Sequence, residues 1–198
     1  MYPIPRIDEC LDSMIGSRVF TKMDLRSGFH QIQVVPEHRE RTAFQTRYGS
    51  FQFRVMPFGL CNAPATFQRT MNLLLQEFAF FCTIYIDDIV VHSATEADHE
   101  RHLALVLNKL RAEKFFAKRS KCLFAMPRID FCGFVVSAAG IEKQPKKIEA
   151  ITNWPTPKCV KYIRAFLGIC GFCQRFIKNF AHTAAPMTEL LKSTVPWT

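Results

Sequence analysis

Two adjacent aspartates stand out as residues that could do chemistry. Asp87 and Asp88 interrupt the run 83–91, which is otherwise β-branched, aromatic and strongly apolar. Alternating apolar residues on each side predict two short strands, with both carboxylates at the tip of a tight hairpin. Adjacent carboxylates against apolar walls repel each other and lose hydration, and a divalent cation is the simplest compensation. Oxygen-only ligands of this kind suit Mg²⁺ or Mn²⁺.

A third aspartate strengthens the case for a metal site. Asp is also a common turn former, so ordinary exposed turn residues are the alternative for Asp87 and Asp88. Asp24, however, ends a second alternating strand, 19–24, and a small-residue turn follows at 26–28. Acids at the ends of separate strands can converge in one sheet, and the sequence therefore predicts a cluster of three carboxylates.

Composition favours a folded protein with a polyanionic partner. The 198 residues carry a formal net charge of +9, with 48% hydrophobic residues and 19 Phe. Such a hydrophobic content excludes a disordered chain. The positive charge favours nucleic acid as a partner, with a solubilising surface as the alternative.

The cysteines and the apolar runs bear on location. Eight cysteines are scattered through apolar segments without the regular framework of a small secreted fold, which predicts reduced thiols inside the cell. No charged-then-apolar leader begins the chain, and the longest apolar run, 78–86, is too short to span a bilayer. We therefore expect a soluble, cytoplasmic protein with no membrane partner.

Helices and strands that position these acids can be read from periodicity. Two amphipathic helices are predicted around the acidic hairpin. The first follows the N-cap Asn62 and runs to about 78, and the second runs from about 95 to 113. Other predicted elements are a helix ending at Gly16, strands at 31–35, 42–46, 51–56, 121–124 and 129–137, and helical segments after 144. Hairpins mixed with helices predict an α+β fold with an antiparallel sheet.

Three residues with ligand-like spacing lie on the second helix. Glu96, His99 and His102 recur on one side of it, but the charged residues between them predict an exposed face. We therefore expect no metal site there.

Several motifs in order carry a family resemblance. They are Asp24-Leu25-Arg26-Ser27-Gly28-Phe29-His30-Gln31-Ile32, Arg41-Thr42-Ala43-Phe44, Met56-Pro57-Phe58-Gly59-Leu60-Cys61-Asn62-Ala63-Pro64, Tyr85-Ile86-Asp87-Asp88 and Phe166-Leu167-Gly168. Together they resemble the reverse transcriptase of gypsy-type long-terminal-repeat retrotransposons (Metaviridae), over essentially the whole chain.

The resemblance implies a right-hand polymerase. Residues 1–136 would form the palm with partial fingers, including a fingers hairpin at about 36–56. Residues 137–198 would form a small thumb or connection segment leading toward a ribonuclease H domain that the chain lacks. The relatives usually begin upstream of Tyr2 and continue into ribonuclease H and integrase, so we expect a fragment of a Pol polyprotein.

The resemblance also implies roles for individual residues. Asp24, Asp87 and Asp88 would be catalytic and would bind two Mg²⁺ or Mn²⁺ ions, and Lys121 would protonate the departing pyrophosphate. Phe29 would select deoxynucleotides under the incoming sugar, with a core phenylalanine as the alternative. The remaining positions implied to contact the nucleotide are Leu25, Ser27, Gly28, Phe58 and Gly59.

The implied function is RNA-directed DNA polymerisation, a nucleotidyl transfer. The partners would be an RNA or DNA template, a primer strand and a dNTP, within the cytoplasm or virus-like particles. The oligomeric state is not predicted. One alternative is a catalytically inactive nucleic-acid-binding remnant of a retroelement. Another is an RNA-dependent RNA polymerase, against which Phe29 argues because that enzyme must admit a 2′-hydroxyl.

Overall fold

The structure, a computed structural model, describes residues 3–196. It divides into two compact units, one ending at Glu142 and the other beginning at Lys143. The predicted boundary after residue 136 lies inside a strand, Phe134–Ser137, of the first unit.

The described residues contain six α-helices and nine strands. The helices are α1 (Ile7–Ser13), α2 (Ala63–Leu75), α3 (Glu96–Ala112), α4 (Pro145–Thr152), α5 (Val160–Phe172) and α6 (Phe180–Glu189). The strands are β1 (Val19–Asp24), β2 (Phe44–Thr46), β3 (Gly49–Phe51), β4 (Cys82–Tyr85), β5 (Asp88–Ser93), β6 (Leu123–Met126), β7 (Arg128–Phe131), β8 (Phe134–Ser137) and β9 (Gly140–Lys143). Short 3-10 turns occupy Gly28–Gln31, Pro36–Thr42, Gln76–Phe78, Arg119–Lys121 and Gln174–Phe176.

A four-stranded antiparallel sheet is the centre of the first unit. Its order is β4-β5-β1-β6, so the acidic hairpin β4–β5 lies directly beside β1. Strands β2 and β3 form a separate hairpin, and β7, β8 and β9 form a three-stranded sheet. The predicted α+β fold with an antiparallel sheet is thus confirmed.

The core of this unit lies between the sheet and helices α2 and α3. Phe67, Met71 and Leu75 of α2 pack there with Val106 and Leu110 of α3. Burying each large apolar side chain contributes about 1.5–3 kcal/mol, so this contact holds the helices against the sheet. Leu107 of α3 is 38% exposed and lies outside this core.

Several predicted strands differ from those observed. Residues 31–35 are not a strand: Gln31 ends a 3-10 turn, and Gln33 makes only an isolated bridge to Val55. The Gln31 side chain bonds the backbone of Arg26 and Phe116, and such bonds compete with ladder pairing. The stretch 129–137 is a hairpin because Cys132 and Gly133 turn the chain with positive φ.

The prediction that this face of α3 is exposed is wrong for His99. Its side chain is buried and bonds Thr21 Oγ1 at 2.7 Å and Ser93 Oγ at 3.0 Å. His102 also bonds Ser93 and stacks on Phe81. The imidazoles satisfy buried hydroxyls of the sheet, so polar residues on this part of α3 face inward.

A second buried imidazole, His92, links β5 to β4 and to the loop between α1 and β1. Its Nδ1 lies 3.0 Å from Ser17 Oγ, and its Nε2 lies 3.2 Å from Thr83 Oγ1. Burial, reinforced by His102 and His99, lowers the pKa of His92 to about 4. The neutral ring is therefore the form that the fold accepts.

We expect acid to destabilise the fold through His92. The pKa of His92 is lower in the folded chain than in the unfolded chain. Its contribution to the free energy of unfolding is therefore complete above the unfolded pKa near 6.5, and it is lost as the pH falls toward 4. The full loss is about 3 kcal/mol. Urea unfolding at pH 7.5, 6 and 5 measures the slope, and His92→Gln should flatten it. An equally steep slope in the variant would exclude His92 as its source.

The second unit is helical. Ile163, Cys170, Cys173 and Ala184 are buried, and the ring centroids of Trp154 and Phe166 lie 6.0 Å apart. Pro186 lies inside α6. The α4–α5 pair confirms the helical character predicted after residue 144.

Across residues 3–196, every helix is too short or too polar to span a bilayer.

Candidate active site

Strand pairing brings the three predicted acids to one end of the four-stranded sheet. In the β1–β5 register Asp24 lies directly opposite Asp88, and Asp87 occupies the turn before β5. Directly opposed like charges destabilise a strand pair, so this arrangement needs compensating charges or a bound cation.

The hairpin turn that carries Asp87 has an unusual backbone. Ile86 has φ 51°, in the left-handed region that a β-branched residue rarely enters. Such a conformation costs about 1–3 kcal/mol and persists only where surrounding contacts enforce it.

Gln68 of α2 supplies those contacts. This fully buried glutamine accepts the Ile86 N–H through Oε1 at 2.6 Å and donates from Nε2 to the Ile84 carbonyl at 3.1 Å. Its Nε2 also lies 2.8 Å from Asn72 Oδ1. The amide therefore clamps both sides of the turn and determines where Asp87 points.

Asp87 is poorly compensated by its surroundings. Its Oδ1 is buried and has no hydrogen-bond partner within residues 3–196. Burial raises the pKa of Asp87 above its usual value, the charges of Asp24 and Asp88 raise it further, and Lys121 opposes them. An incoming cation would relieve both the burial and the repulsion.

Two lysines partly neutralise the other acids. Lys121 Nζ lies 3.2 Å from Asp24 Oδ2, and Lys22 Nζ lies 2.8 Å from Asp88 Oδ2. Lys121 was predicted in this site, and the structure brings it to the acids. Lys22 was not predicted to be functional.

A cleft of about 740 Å³ opens beside the acids. It is lined by Asp24, Asp87 and the turn 25–28, and by the basic segment 117–121. That segment lies directly beside the end of β1, because Leu25 bridges Ala117 and the Lys118 N–H donates to the Asp24 carbonyl. The predicted contact residues Leu25, Ser27, Gly28 and Phe58 line the cleft. The cleft therefore places carboxylates next to cations, as a metal-bound phosphate would require.

Gly28 allows the close approach of α2 and Asp87. A Cβ built at this position would lie 3.0 Å from Phe67 Cζ and 3.1 Å from Asp87 Oδ1. A larger residue would push on the Asp87 carboxylate. Close packing beside this acid therefore explains why the position is a glycine.

Phe29 and Gly59, both predicted to contact the nucleotide, are not among the described residues that line the cleft. Phe29 is buried, with its ring centroid 5.1 Å from Phe58 and 5.3 Å from Phe67. Gly59, with φ +94°, turns the chain after the exposed Phe58 ring. Phe29 thus has the core contacts of the alternative interpretation, and its role toward a sugar stays a prediction.

Sequence reasoning missed Gln68 and Lys22. Gln68 interrupts the apolar stripe of α2 directly after Phe67, and a lone polar residue within such a stripe is a usable signal. Lys22 shares a strand face with Asp24, two residues apart, but only the register of β5 reveals its partner.

The residues present fit a divalent cation. Among residues 3–196 no three His, Cys, Asp or Glu side chains are already arranged as a metal centre. Nevertheless, the orphaned Asp87 oxygen and the neighbouring Asp24 and Asp88 provide the all-oxygen donors that Mg²⁺ and Mn²⁺ prefer.

Comparison with known proteins agrees with this geometry. Residues 1–136 match the family model described as reverse transcriptase (RNA-dependent DNA polymerase). The Pol polyprotein from transposon 297 of Drosophila melanogaster is 42% identical over 192 residues, which cover 96% of this chain and 18% of the relative. The Pol polyprotein from transposon gypsy of the same species is 38% identical, over 96% of this chain and 19% of that protein. The chain therefore spans less than one fifth of either relative.

Solved structures share the fold. A foamy viral protease-reverse transcriptase, solved in complex with an RNA/DNA hybrid, superposes with a TM-score of 0.83 at 22% identity. The match covers 99% of this chain and 27% of the viral chain. The predicted polymerase-type palm fold is confirmed by this likeness. Since the family model matches more than half of the residues, and the relatives are gypsy-type Pol polyproteins, the chain belongs to the reverse transcriptase (RNA-dependent DNA polymerase) family.

Proposed function

We propose that this chain is the palm-containing part of an RNA-directed DNA polymerase that adds deoxynucleotides to a primer 3′-hydroxyl. The observation that carries the proposal is the convergence of Asp24, Asp87 and Asp88, with a buried, unpartnered Asp87 oxygen. The family membership supports the same activity. The complex of the foamy viral relative with an RNA/DNA hybrid supports a template–primer duplex as the partner.

The three carboxylates would hold two Mg²⁺ or Mn²⁺ ions. When bound, such ions lower the pKa of a hydroxyl and stabilise the attacking and leaving oxygens of an in-line phosphoryl displacement. The carboxylates of Asp24 and Asp87 face the cleft and would act as the principal ligands, with Asp88 completing the cluster.

Other residues would orient the nucleotide and move a proton. Ser27 and Gly28 line the cleft, and their backbone N–H groups would bind triphosphate oxygens. Lys121, which also lines the cleft, would donate its proton to the departing pyrophosphate. Phe58, which is 62% exposed, would contact the nucleotide base or sugar beside the template.

The remaining assignments extend the proposal to the whole protein. Residues 1–136, with the hairpin within 36–56, would be palm and partial fingers, and residues 137–198 would be the thumb or connection. In a longer Pol polyprotein, ribonuclease H and integrase would follow. Free cysteines in the described residues fit a cytoplasmic or virus-like-particle setting.

Primer extension tests this function. The chain is incubated with a poly(rA)/oligo(dT) duplex, dTTP and Mg²⁺ or Mn²⁺, and product length is followed over time. We expect metal-dependent extension. Duplex binding that weakens with salt, without extension, would contradict polymerisation by this chain and favour the non-catalytic nucleic-acid-binding alternative.

Phe29→Val tests sugar selection. If Phe29 lies under the incoming sugar, the variant should use UTP relative to dTTP about tenfold more readily, because a steric block worth 1–3 kcal/mol is removed. The ratio of kcat/KM for the two nucleotides measures this. Phe78→Val is the matched control, since Phe78 is 9% exposed and Phe29 is 8% exposed. An unchanged ratio in Phe29→Val would leave Phe29 with a packing role alone.

A further inference from the structure

Lys22 connects the acidic cluster to a neighbouring strand. Its ammonium group lies 2.8 Å from Asp88 Oδ2 and donates a second bond, at 3.2 Å, to the backbone carbonyl of Asp130 in β7. Both charged side chains are largely shielded, with 22% of Lys22 and 27% of Asp88 exposed. The second acceptor holds the ammonium in place, unlike a lysine that pairs freely at the surface.

The strand register explains why Lys22 meets Asp88. In the antiparallel β1–β5 pair, Asp24 faces Asp88 and Lys22 faces Val90. Lys22 lies two residues from Asp24, so both side chains share one face of β1. Asp88 is then the diagonal neighbour of Lys22, at a separation that a long side chain spans.

The second lysine of the cluster is placed differently. Lys121 lies 3.2 Å from Asp24 but is 56% exposed, so water screens and replaces that contact more readily. Asp87 has a buried oxygen without a partner in residues 3–196. Of the three acids, Asp88 therefore has the most firmly held positive partner.

We propose that Lys22 is a positioning residue that serves as the built-in counter-ion of Asp88 and competes with a divalent cation for that carboxylate. Asp24 and Asp87 then bind a cation first, and Asp88 contributes less to the affinity for that cation. The inference rests on the proposed divalent-cation site, but it does not require that the chain polymerise.

Direct measurement of Mn²⁺ binding tests this role. Free Mn²⁺ is titrated by its electron paramagnetic resonance signal against the parent chain, Lys22→Met and Lys22→Arg. We expect Lys22→Met to bind Mn²⁺ about twofold to fivefold more tightly, the range that corresponds to the strength of a partly exposed ion pair. Lys22→Arg keeps the charge and should retain the parent affinity.

Two controls separate a local effect from a change in net charge. Lys109→Met removes one charge from the Lys109–Glu77 pair, whose atoms lie 3.2 Å apart, and should leave Mn²⁺ affinity unchanged. In an Asp88→Asn background, Lys22→Met should have no further effect, because the carboxylate for which the ammonium competes is gone. Circular dichroism verifies folding, and Lys22→Gln replaces Lys22→Met if the latter fails to fold.

The outcomes are distinct. Unchanged or weaker Mn²⁺ affinity in the uncharged Lys22 variant, or equal tightening in Lys109→Met or in the Asp88→Asn background, overturns the proposal. If the parent chain binds no Mn²⁺, both this inference and the proposed metal site fail. Mn²⁺ binding with the predicted pattern but without primer extension supports the counter-ion and rejects only polymerisation.

Discussion

Asp87→Asn is expected to abolish primer extension while leaving the fold intact. The amide removes the carboxylate charge at the one acidic oxygen that is both buried and unpartnered in the described chain. Loss of a metal ligand forfeits several kcal/mol of transition-state stabilisation, and about 4 kcal/mol corresponds to roughly a thousandfold in rate. Single-turnover extension on the poly(rA)/oligo(dT) duplex measures this loss.

The same substitution should not destabilise the protein. Because the folded pKa of Asp87 is raised, ionisation opposes folding, and stability falls as the pH rises from the unfolded pKa through the folded one. At neutral pH the neutral amide avoids this penalty, so the thermal midpoint should be equal to or above that of the parent.

A matched control uses an aspartate away from the cluster. Asp12→Asn changes an exposed residue of α1 and should keep the parent extension rate. An Asp87→Asn protein that unfolds, or that extends primers at the parent rate, would contradict the assignment of Asp87 as a metal ligand.

Gln68→Met is expected to lower both stability and extension. The variant keeps the side-chain length but leaves the part-buried Ile86 N–H and the buried Ile84 carbonyl without the glutamine as their partner. Each unsatisfied buried group costs about 1–3 kcal/mol, so we expect a loss of about 2–4 kcal/mol in the free energy of unfolding. Urea denaturation measures this loss.

The effect of Gln68→Met on extension separates positioning from stability alone. Without its clamp, Ile86 can leave the left-handed conformation, and Asp87 moves with it. Misplacement of a reacting group by about 1 Å can reduce rates about a hundredfold. Extension is therefore measured at a temperature where the variant remains folded, and Gln76→Met, an exposed glutamine just after α2, is the control. Full activity of folded Gln68→Met would show that the turn holds its shape without the glutamine.

The charges around the acids show how the fold accommodates three neighbouring carboxylates. Asp24 and Asp88 face each other across the strand pair, and each has a lysine within 3.2 Å. Asp87 lacks such a close partner in the described residues and instead has a raised pKa. The protein therefore tolerates two acids by pairing them, whereas the third keeps a buried oxygen without a hydrogen-bond partner among the described residues.

Local sequence was sufficient for much of the architecture. The apolar, β-branched residues on each side of Asp87 and Asp88, and the alternation along 19–24, predicted the strands of the acidic hairpin and β1. The apolar stripes of α2 and α3 likewise predicted two helices, and Thr95 caps α3 through the Asp98 N–H. These features depend on residues close together in the chain, so a single sequence reveals them.

Contacts between distant residues could not be read in the same way. The stretch predicted as a strand at 31–35 makes only an isolated bridge, from Gln33 to Val55, and the Gln31 side chain at its start bonds the backbone at Phe116, 85 residues away. His99 was expected in solvent, yet it is buried because Thr21, 78 residues distant, supplies a partner. The charged residues beside it in the helix gave no sign of that hydroxyl.

The features of the acidic site can likewise be divided into those that local sequence predicted and those that only the tertiary structure determined. Three aspartates at strand ends, in family motifs, were predictable from residue type and spacing. The pairing register placed Asp24 opposite Asp88, the packing of α2 brought Gln68 onto the Ile86 turn, and the position of β7 gave Lys22 its second acceptor. Pattern specifies which residues can do chemistry, whereas the long-range pairing of strands and helices determines the charges and hydrogen bonds that each of them meets.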